Sequence, residues 1–166
     1  MYLQMMYSHR LMARSRQPQK TLRSDAQTMV AACAGWNSRL AARRITQFLD
    51  RELAGLGLGV AQLGLMAQIA AGADDTLGAL AQRSGLDQST LSRNLRTLEA
   101  EGLVEIAVVE TDLRRRAAWL TETGLRRLET ALPRWRQAQA RLAKRVPPQL
   151  ARDLAQATEA LEHDGP

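Results

Sequence analysis

Cysteine occurs once in this 166-residue chain, histidine twice and lysine twice (Lys20 and Lys144), and aromatic residues make up only 4%. A lone Cys33 excludes an intramolecular disulfide and any multi-cysteine zinc site. His9 and His163 sit near the two ends, so no Ser-His-Asp or Cys-His arrangement is easily assembled, and an enzyme finds little support. Asp74 with Asp75, or Glu99 with Glu101, could pose as paired carboxylates, but such sequence neighbours usually cap a helix or face solvent. No apolar run approaches the roughly 18 residues of a membrane span, and no apolar core follows the N-terminal arginines as a secretion signal requires. The expectation is a cytoplasmic protein with no membrane partner, no metal and no cofactor.

With lysine nearly absent, the positive charge falls on arginine. Lys and Arg total 23 against 17 Asp and Glu, a net charge of +6, and the pI is near 10.6. That balance fits a polyanion partner bound through counterion release. Arginine favours bidentate contacts with phosphates and bases over point charges, although a GC-rich genome produces the same bias. The length is that of one ordinary domain with room for a core.

The stretch from Leu77 to Thr121 carries the clearest organisation. Leu77, Leu80 and Ala81 share one face of a short helix, Gly85 supplies a sharp turn, and Leu86 with Leu91 closes the corner, the pattern of a helix-turn-helix. The second helix starts from Asp87 as N-cap and stops at Gly102. At about 100° per residue, Leu91, Leu95 and Leu98 cluster on one side, whereas Ser89, Ser92, Arg93 and Arg96 recur at i, i+3, i+4 and i+7 on the other. The apolar face docks on a core. The serine and arginine face suits a major groove, where arginine bonds guanine bidentately and hydroxyls reach base edges; a solvated basic face is the alternative.

Leu103 to Glu110 then alternates Val104, Ile106 and Val108 with Glu105, Ala107 and Val109, a strand pattern. Thr111, Asp112 and Leu113 bring a turn, with Arg114, Arg115 and Arg116 at or beside its tip and residues 117–120 returning as the partner strand. A guanidinium on such a tip can enter a narrow minor groove, and Asp112 can orient Arg114. Three merely solubilising arginines are the competing reading.

At these residues the chain resembles the MarR family of bacterial transcription regulators. The matching segments are Asp87-Gln88-Ser89-Thr90-Leu91-Ser92-Arg93, Leu98-Glu99-Ala100-Glu101-Gly102-Leu103-Val104, Asp112-Leu113-Arg114 and Leu120-Thr121-Glu122-Thr123-Gly124, and the likeness extends from about Met29 to Leu161. The resemblance places Ser89, Thr90, Arg93 and Arg96 where family members carry groove-reading side chains. It also makes Arg114 the wing-tip arginine and Asp112 its orienting acid. The expected DNA-contacting set is Gln88, Ser89, Thr90, Ser92, Arg93, Arg96, Asp112, Arg114, Arg115 and Arg116. The implied fold is mainly α with a small β-hairpin wing: a winged helix-turn-helix with N- and C-terminal dimerisation helices.

The flanking segments read as scaffold. A long helical pattern from Asp25 to about Leu53 carries Val30, Cys33, Trp36, Leu40, Ile45, Phe48 and Leu49, and a second from Val60 to Ala70 offers Leu63, Met66 and Ile69. Gly55, Gly57 and Gly59 between them lack the strand and spacing of a dinucleotide loop and read as a helix stop and linker. Thr121 caps a helix toward Val146 in which Pro133 should bend the path or mark an irregular turn. Pro147-Pro148 breaks it before a last helix with Leu150, Leu154 and Leu161. The expected divisions are 1–24, a disordered basic extension; 25–57, an N-terminal dimerisation helix; 58–121, the DNA-binding region; and 122–163, the C-terminal dimerisation helices, with 25–163 compact as one domain. The extension could also be a transit-like segment, a phosphate-gripping tail or residues ahead of the natural start.

By the resemblance the protein is a homodimer that presents two recognition helices to a near-palindromic double-stranded operator. The resemblance also implies a repressor released by a small-molecule effector. A pocket between reader and dimerisation helices, near Trp36, Arg39, Arg43 and Met66, would suit an aromatic or anionic effector, although Trp36 and Met66 also lie on apolar stripes typical of core. One branch of the family senses organic hydroperoxides through a cysteine near the start of the first helix. Cys33 is displaced from that register by about two residues and lacks nearby tyrosines, so a buried inert thiol competes with a redox switch. A winged-helix protein-interaction module is the remaining alternative, and its neutral recognition face is at odds with Arg93, Arg96 and Arg114.

Overall fold

The computed structural model describes residues 20–109 and 112–162, and for residues 20, 109, 112–114, 160 and 162 the backbone only. The elements are α1 (Lys20–Ala32), α2 (Ala34–Leu53), a 3-10 turn (Ala54–Leu56), α3 (Val60–Ala71), α4 (Leu77–Ser84), α5 (Gln88–Ala100), β1 (Val104–Val109), β2 (Asp112–Leu120), α6 (Glu122–Ala143), α7 (Pro148–Thr158) and a closing 3-10 turn (Glu159–Glu162). The chain divides into two compact units, residues 1–44 and 45–166.

In the first unit the single long helix expected from Asp25 is instead two, interrupted at Cys33. The Asn37 N–H donates to the Cys33 carbonyl at 3.0 Å and the Asn37 side chain to the Ala31 carbonyl at 2.9 Å. The first is an ordinary helical bond to the residue four before it, while the second gives the Ala31 carbonyl a side-chain partner outside the regular ladder. Residues 20–24, expected to belong to a disordered extension, are helical; residues 1–19 lie outside the described ones.

In the second unit the buried residues begin with Leu49 and Leu53, at the end of α2. The core joins Leu53, Leu63, Leu65, Met66 and Ile69 to Leu80, Leu91, Leu95, Leu98, Leu103, Val104, Ala118 and Leu128. Thus α3 is the central helix, packed on α4, α5, α6 and the hairpin. Asp50 accepts the Val60 N–H at 2.7 Å, which satisfies one orphan donor at the start of α3. Gly57 closes the preceding 3-10 turn at φ 67°, a left-handed conformation that glycine adopts freely. The glycine run is therefore a helix stop, as its spacing indicated.

Helix α6 lies along the end of α2: Arg127 donates to the Leu56 carbonyl at 2.9 Å and Arg141 pairs with Glu52 at 2.7 Å. It runs unbroken through Pro133. A proline there removes one backbone donor, but Ala131 and Ala138 are buried on either side of it, and that packing holds the helix together. The start of α6 is set by Thr121, whose hydroxyl accepts the Gly124 N–H at 3.0 Å and donates to the Gly102 carbonyl at 2.7 Å. Gly124 is required by contact, since a Cβ there would meet the Leu103 carbonyl oxygen.

Candidate nucleic-acid interface

Helix α5 follows α4 through Gly85, which sits at φ 61° in the left-handed region. Leu91, Leu95 and Leu98 are all buried, at 3%, 2% and 0% exposure. The opposite side carries Ser89, Arg93, Arg96 and Thr97, all exposed, with Ser92 half-buried. Ser89, Ser92, Arg93, Arg96, Thr97 and Ala100 border one open groove along the helix. Thr97 was absent from the sequence-derived set, although it stands four residues after Arg93 and eight after Ser89, on the same helical stripe.

The start of α5 is held by Asp87. Its carboxylate accepts from the Ser89 hydroxyl at 2.6 Å, from the Thr90 N–H at 2.8 Å and from the Thr90 hydroxyl at 2.8 Å. These bonds, the Ser89 hydroxyl first, hold the Asp87 carboxyl far below the usual carboxylate range. Gln88 is exposed beside them.

Beyond Gly102, at φ 67°, β1 and β2 form an antiparallel hairpin pairing Val104 with Leu120, Ile106 with Ala118 and Val108 with Arg116. The register slips between Val108 and Val109, so that Val109 faces Asp112 and residues 113–115 have no ladder partners. The return strand was expected to begin near Ala117; it begins at Asp112, so Arg114, Arg115 and Arg116 belong to a strand and not to the turn. The irregularity absorbs the extra residues, as bulges do. The side chains of Asp112 and Arg114, and hence their expected pairing, lie outside the described residues.

Arg115 and Arg116 border one pocket beside Asp74 and Thr76 but differ in their other neighbours. Arg115 turns toward the loop before α4, with its guanidinium 3.7 Å from the Asp74 carboxylate and 3.5 Å from the Thr76 hydroxyl. Both partners are half exposed, so the ion pair is weak on its own. Thr76, through its side chain and then its N–H, lowers the Asp74 pKa, and Arg115 and Arg83 act in the same direction. Four residues along the strand, Trp119 Nε1 donates to Asp75 at 2.9 Å, and the Ala118 N–H donates to the Asp75 carbonyl at 3.0 Å. The Asp74-Asp75 pair is thus occupied in capping and clamping the hairpin. Arg116 instead lines a cleft of about 600 Å³ with Gln88, Ser92 and Arg96 on α5 and Ile106 on β1, so strand and helix present guanidinium groups to a common space.

Of the residues expected to line an effector pocket, Met66 is wholly buried in the core of residues 45–166. Its side chain is packed there because α3 is central and turns its apolar side inward. Trp36, Arg39 and Arg43 belong to the other unit and are exposed, Trp36 at 60%. Cys33 is a free, half-buried thiol at the helix interruption. Among the described residues no group of three or more potential metal ligands occurs, and no single helix is long and apolar enough to cross a membrane.

A helix-turn-helix followed by a two-stranded wing, with the second helix buried on one side and basic on the other, defines a winged-helix protein. The sequence profile of the MarR family matches residues 56–115. The transcriptional regulator MosR of M. tuberculosis, solved in complex with DNA, is 35% identical with a TM-score of 0.71, over 79% of this chain and 97% of that one. The MepR–DNA complex of S. aureus, at 21% identity and TM-score 0.63, is covered to 97% by 78% of this chain, and shares the fold. So does the PcaV regulator of Streptomyces coelicolor bound to its natural ligand, at 17% identity and TM-score 0.65, over 81% of this chain and 95% of that one. No curated protein sequence matches. The chain belongs to the MarR family, whose members are DNA-binding transcription regulators and not enzymes.

Proposed function

We propose that the protein binds a short, near-palindromic DNA operator as a homodimer and represses transcription until a small molecule releases it. The observation that carries this reading is the two-sidedness of α5. Three leucines lock it onto the core, while Ser89, Ser92, Arg93, Arg96 and Thr97 line an open groove. An α-helix so held fits a major groove, where Arg93 and Arg96 would bond guanine, at roughly 1–3 kcal/mol of discrimination per bidentate pair. Gln88, Ser89, Thr90 and Ser92 contribute polar edges on the first turns of the helix. Arg116, across the cleft from Arg96, extends the positive surface, and Arg114 with Asp112 is assigned to the adjoining minor groove. Arg115, engaged with Asp74 and Thr76, serves to set the hairpin.

Exposed apolar side chains support a twofold partner. Leu150, Leu154 and Leu161 are 61%, 50% and 71% exposed in one unit, and Met29, Val30 and Trp36 are 73%, 57% and 60% exposed in the other. Large apolar side chains left open in numbers mark interaction surfaces. The MosR–DNA and MepR–DNA complexes are precedents for DNA as partner, and PcaV for a bound small molecule. For the effector, exposed Trp36, Arg39 and Arg43 suit an aromatic or anionic compound, and a coupling of about 1–3 kcal/mol suffices to weaken operator binding.

The test is an electrophoretic shift on DNA upstream of the protein's own gene with excess nonspecific competitor. Retention that survives competition supports a regulator. No retention even at low salt removes the proposal.

A further inference from the structure

The carboxylate that opens α5 also determines how two hydroxyls of its first turn are presented. An ionised carboxylate only accepts hydrogen bonds. The contacts from Ser89 Oγ to Asp87 Oδ1 at 2.6 Å and from Thr90 Oγ1 to Asp87 Oδ2 at 2.8 Å therefore direct both hydroxyl protons at Asp87. Both bonds are charge-assisted. Asp87 Oδ1 also takes the Thr90 N–H at 2.8 Å, so the carboxylate cannot turn away without uncapping the helix. A hydroxyl has one proton and two lone pairs. With the proton directed inward, Ser89, which is exposed, and Thr90, which is half-buried, offer the surroundings lone pairs alone. Lone pairs repel phosphate oxygens. In a major groove they meet donors on only two bases, the N4 amine of cytosine and the N6 amine of adenine.

We infer that Ser89 and Thr90 read the exocyclic amines of cytosine or adenine as hydrogen-bond acceptors, and that Asp87 imposes this choice by holding their protons. The inference rests on the DNA-reading role proposed for α5. It gives the helix a chemical polarity: acceptors on the first turn, and the donor-only guanidinium groups of Arg93 and Arg96, suited to guanine N7 and O6, on the turns that follow. Asp87→Asn tests the device directly. Its amide oxygen at the Oδ1 position keeps the helix cap, while its NH2 at the Oδ2 position donates to Thr90 Oγ1 and turns that hydroxyl's proton outward.

The experiment is binding-site selection from random duplexes by the wild-type chain and by the Ser89→Ala, Thr90→Val and Asp87→Asn variants, followed by titration of the selected sites. The wild type is expected to select adenine or cytosine opposite the first turn of α5. Ser89→Ala and Thr90→Val each lower discrimination at one such position by roughly fivefold, leaving the arginine-read positions unchanged. Asp87→Asn shifts the Thr90 position toward guanine or thymine. Replacing the selected base by its amine-free analogue, purine for adenine or 2-pyrimidinone for cytosine, weakens the wild type but not the variant lacking the matching hydroxyl. The serine and threonine variants keep the Asp87 cap on the Thr90 N–H, so they decide the question even if Asp87→Asn fails to fold. Uniform loss of affinity for all sequences with a smaller salt slope would make the hydroxyls phosphate contacts and overturn the inference, as would unchanged selection by both hydroxyl variants. If the wild type itself selects no sequence, the DNA-reading proposal fails with it; if wild-type selectivity stands, only the acceptor assignment falls.

Discussion

Trp119 Nε1 donates to the Asp75 carboxylate across 2.9 Å, and through that bond the return strand of the wing is tied to the loop that starts the helix-turn-helix. Thr76 bridges to Ala117 beside it, and Arg115 reaches Asp74 on the same face of the strand. Trp119→Phe keeps most of the packing and removes only the donor. It should cost about 1 kcal/mol of stability and loosen the hairpin. Amide hydrogen exchange on β2 should quicken while α5 keeps its protection, and equal protection of β2 in the variant would show that the clamp does not hold the wing.

Gly124 lies against the Leu103 carbonyl, leaving no room for a Cβ. Gly124→Ala should destabilise by about 1–3 kcal/mol, the range for overpacking a closed contact, despite alanine's better helix propensity. Chemical denaturation gives the number. A neutral or stabilising result would mean that the helix start shifts freely off the strand.

The acid limb of stability should report Asp87. Its carboxyl is held well below the ordinary value by the Ser89 and Thr90 bonds. In the unfolded chain it takes up a proton near pH 3.9, so the unfolded state binds more protons than the native one below that pH. The contribution is complete above about pH 5 and is lost as the pH falls through and below about 4. Thermal melts across this range should show a shallower acid decline for Asp87→Asn. An unchanged slope would place the acid sensitivity elsewhere.

Much of this was legible in the sequence, for identifiable reasons. Residues whose role is set by helical period or local capping were found where they were expected: Leu91, Leu95 and Leu98 inside, Asp87 and Thr121 as caps, Gly57 and Gly85 as left-handed stops. What the sequence left hidden depends on tertiary partners. The Arg115–Asp74 and Trp119–Asp75 ties join residues about forty positions apart, and three successive arginines carry no mark of which will turn back onto the protein. The early start of β2 was hidden because residues 113–115 are absorbed by a slip of register, which alternation does not encode. Met66 and Trp36 both sit on apolar stripes, and only packing distinguishes the buried one from the exposed one.

Arg93→Ala and Arg96→Ala should each cost about 1–3 kcal/mol of operator binding and relax preference at particular base pairs. Arg114→Ala should act mainly on sites with narrow, AT-rich flanks. Binding titrations against single-substituted operators separate these outcomes. A uniform loss for every variant would mark the guanidinium groups as phosphate contacts.

A chain of 18.4 kDa that pairs through its exposed leucines should elute with about twice that mass in light scattering at micromolar concentration. A monomer there would leave those side chains without the partner assigned to them.

The most direct test of the account is hydroxyl-radical footprinting of the protein on a selected DNA site. Two α5 helices related by a twofold axis should protect two half-sites in inverted orientation, their centres about 10 base pairs apart, and Arg93→Ala should weaken both together. Protection of a single unpaired patch, or protection indifferent to sequence, would contradict it.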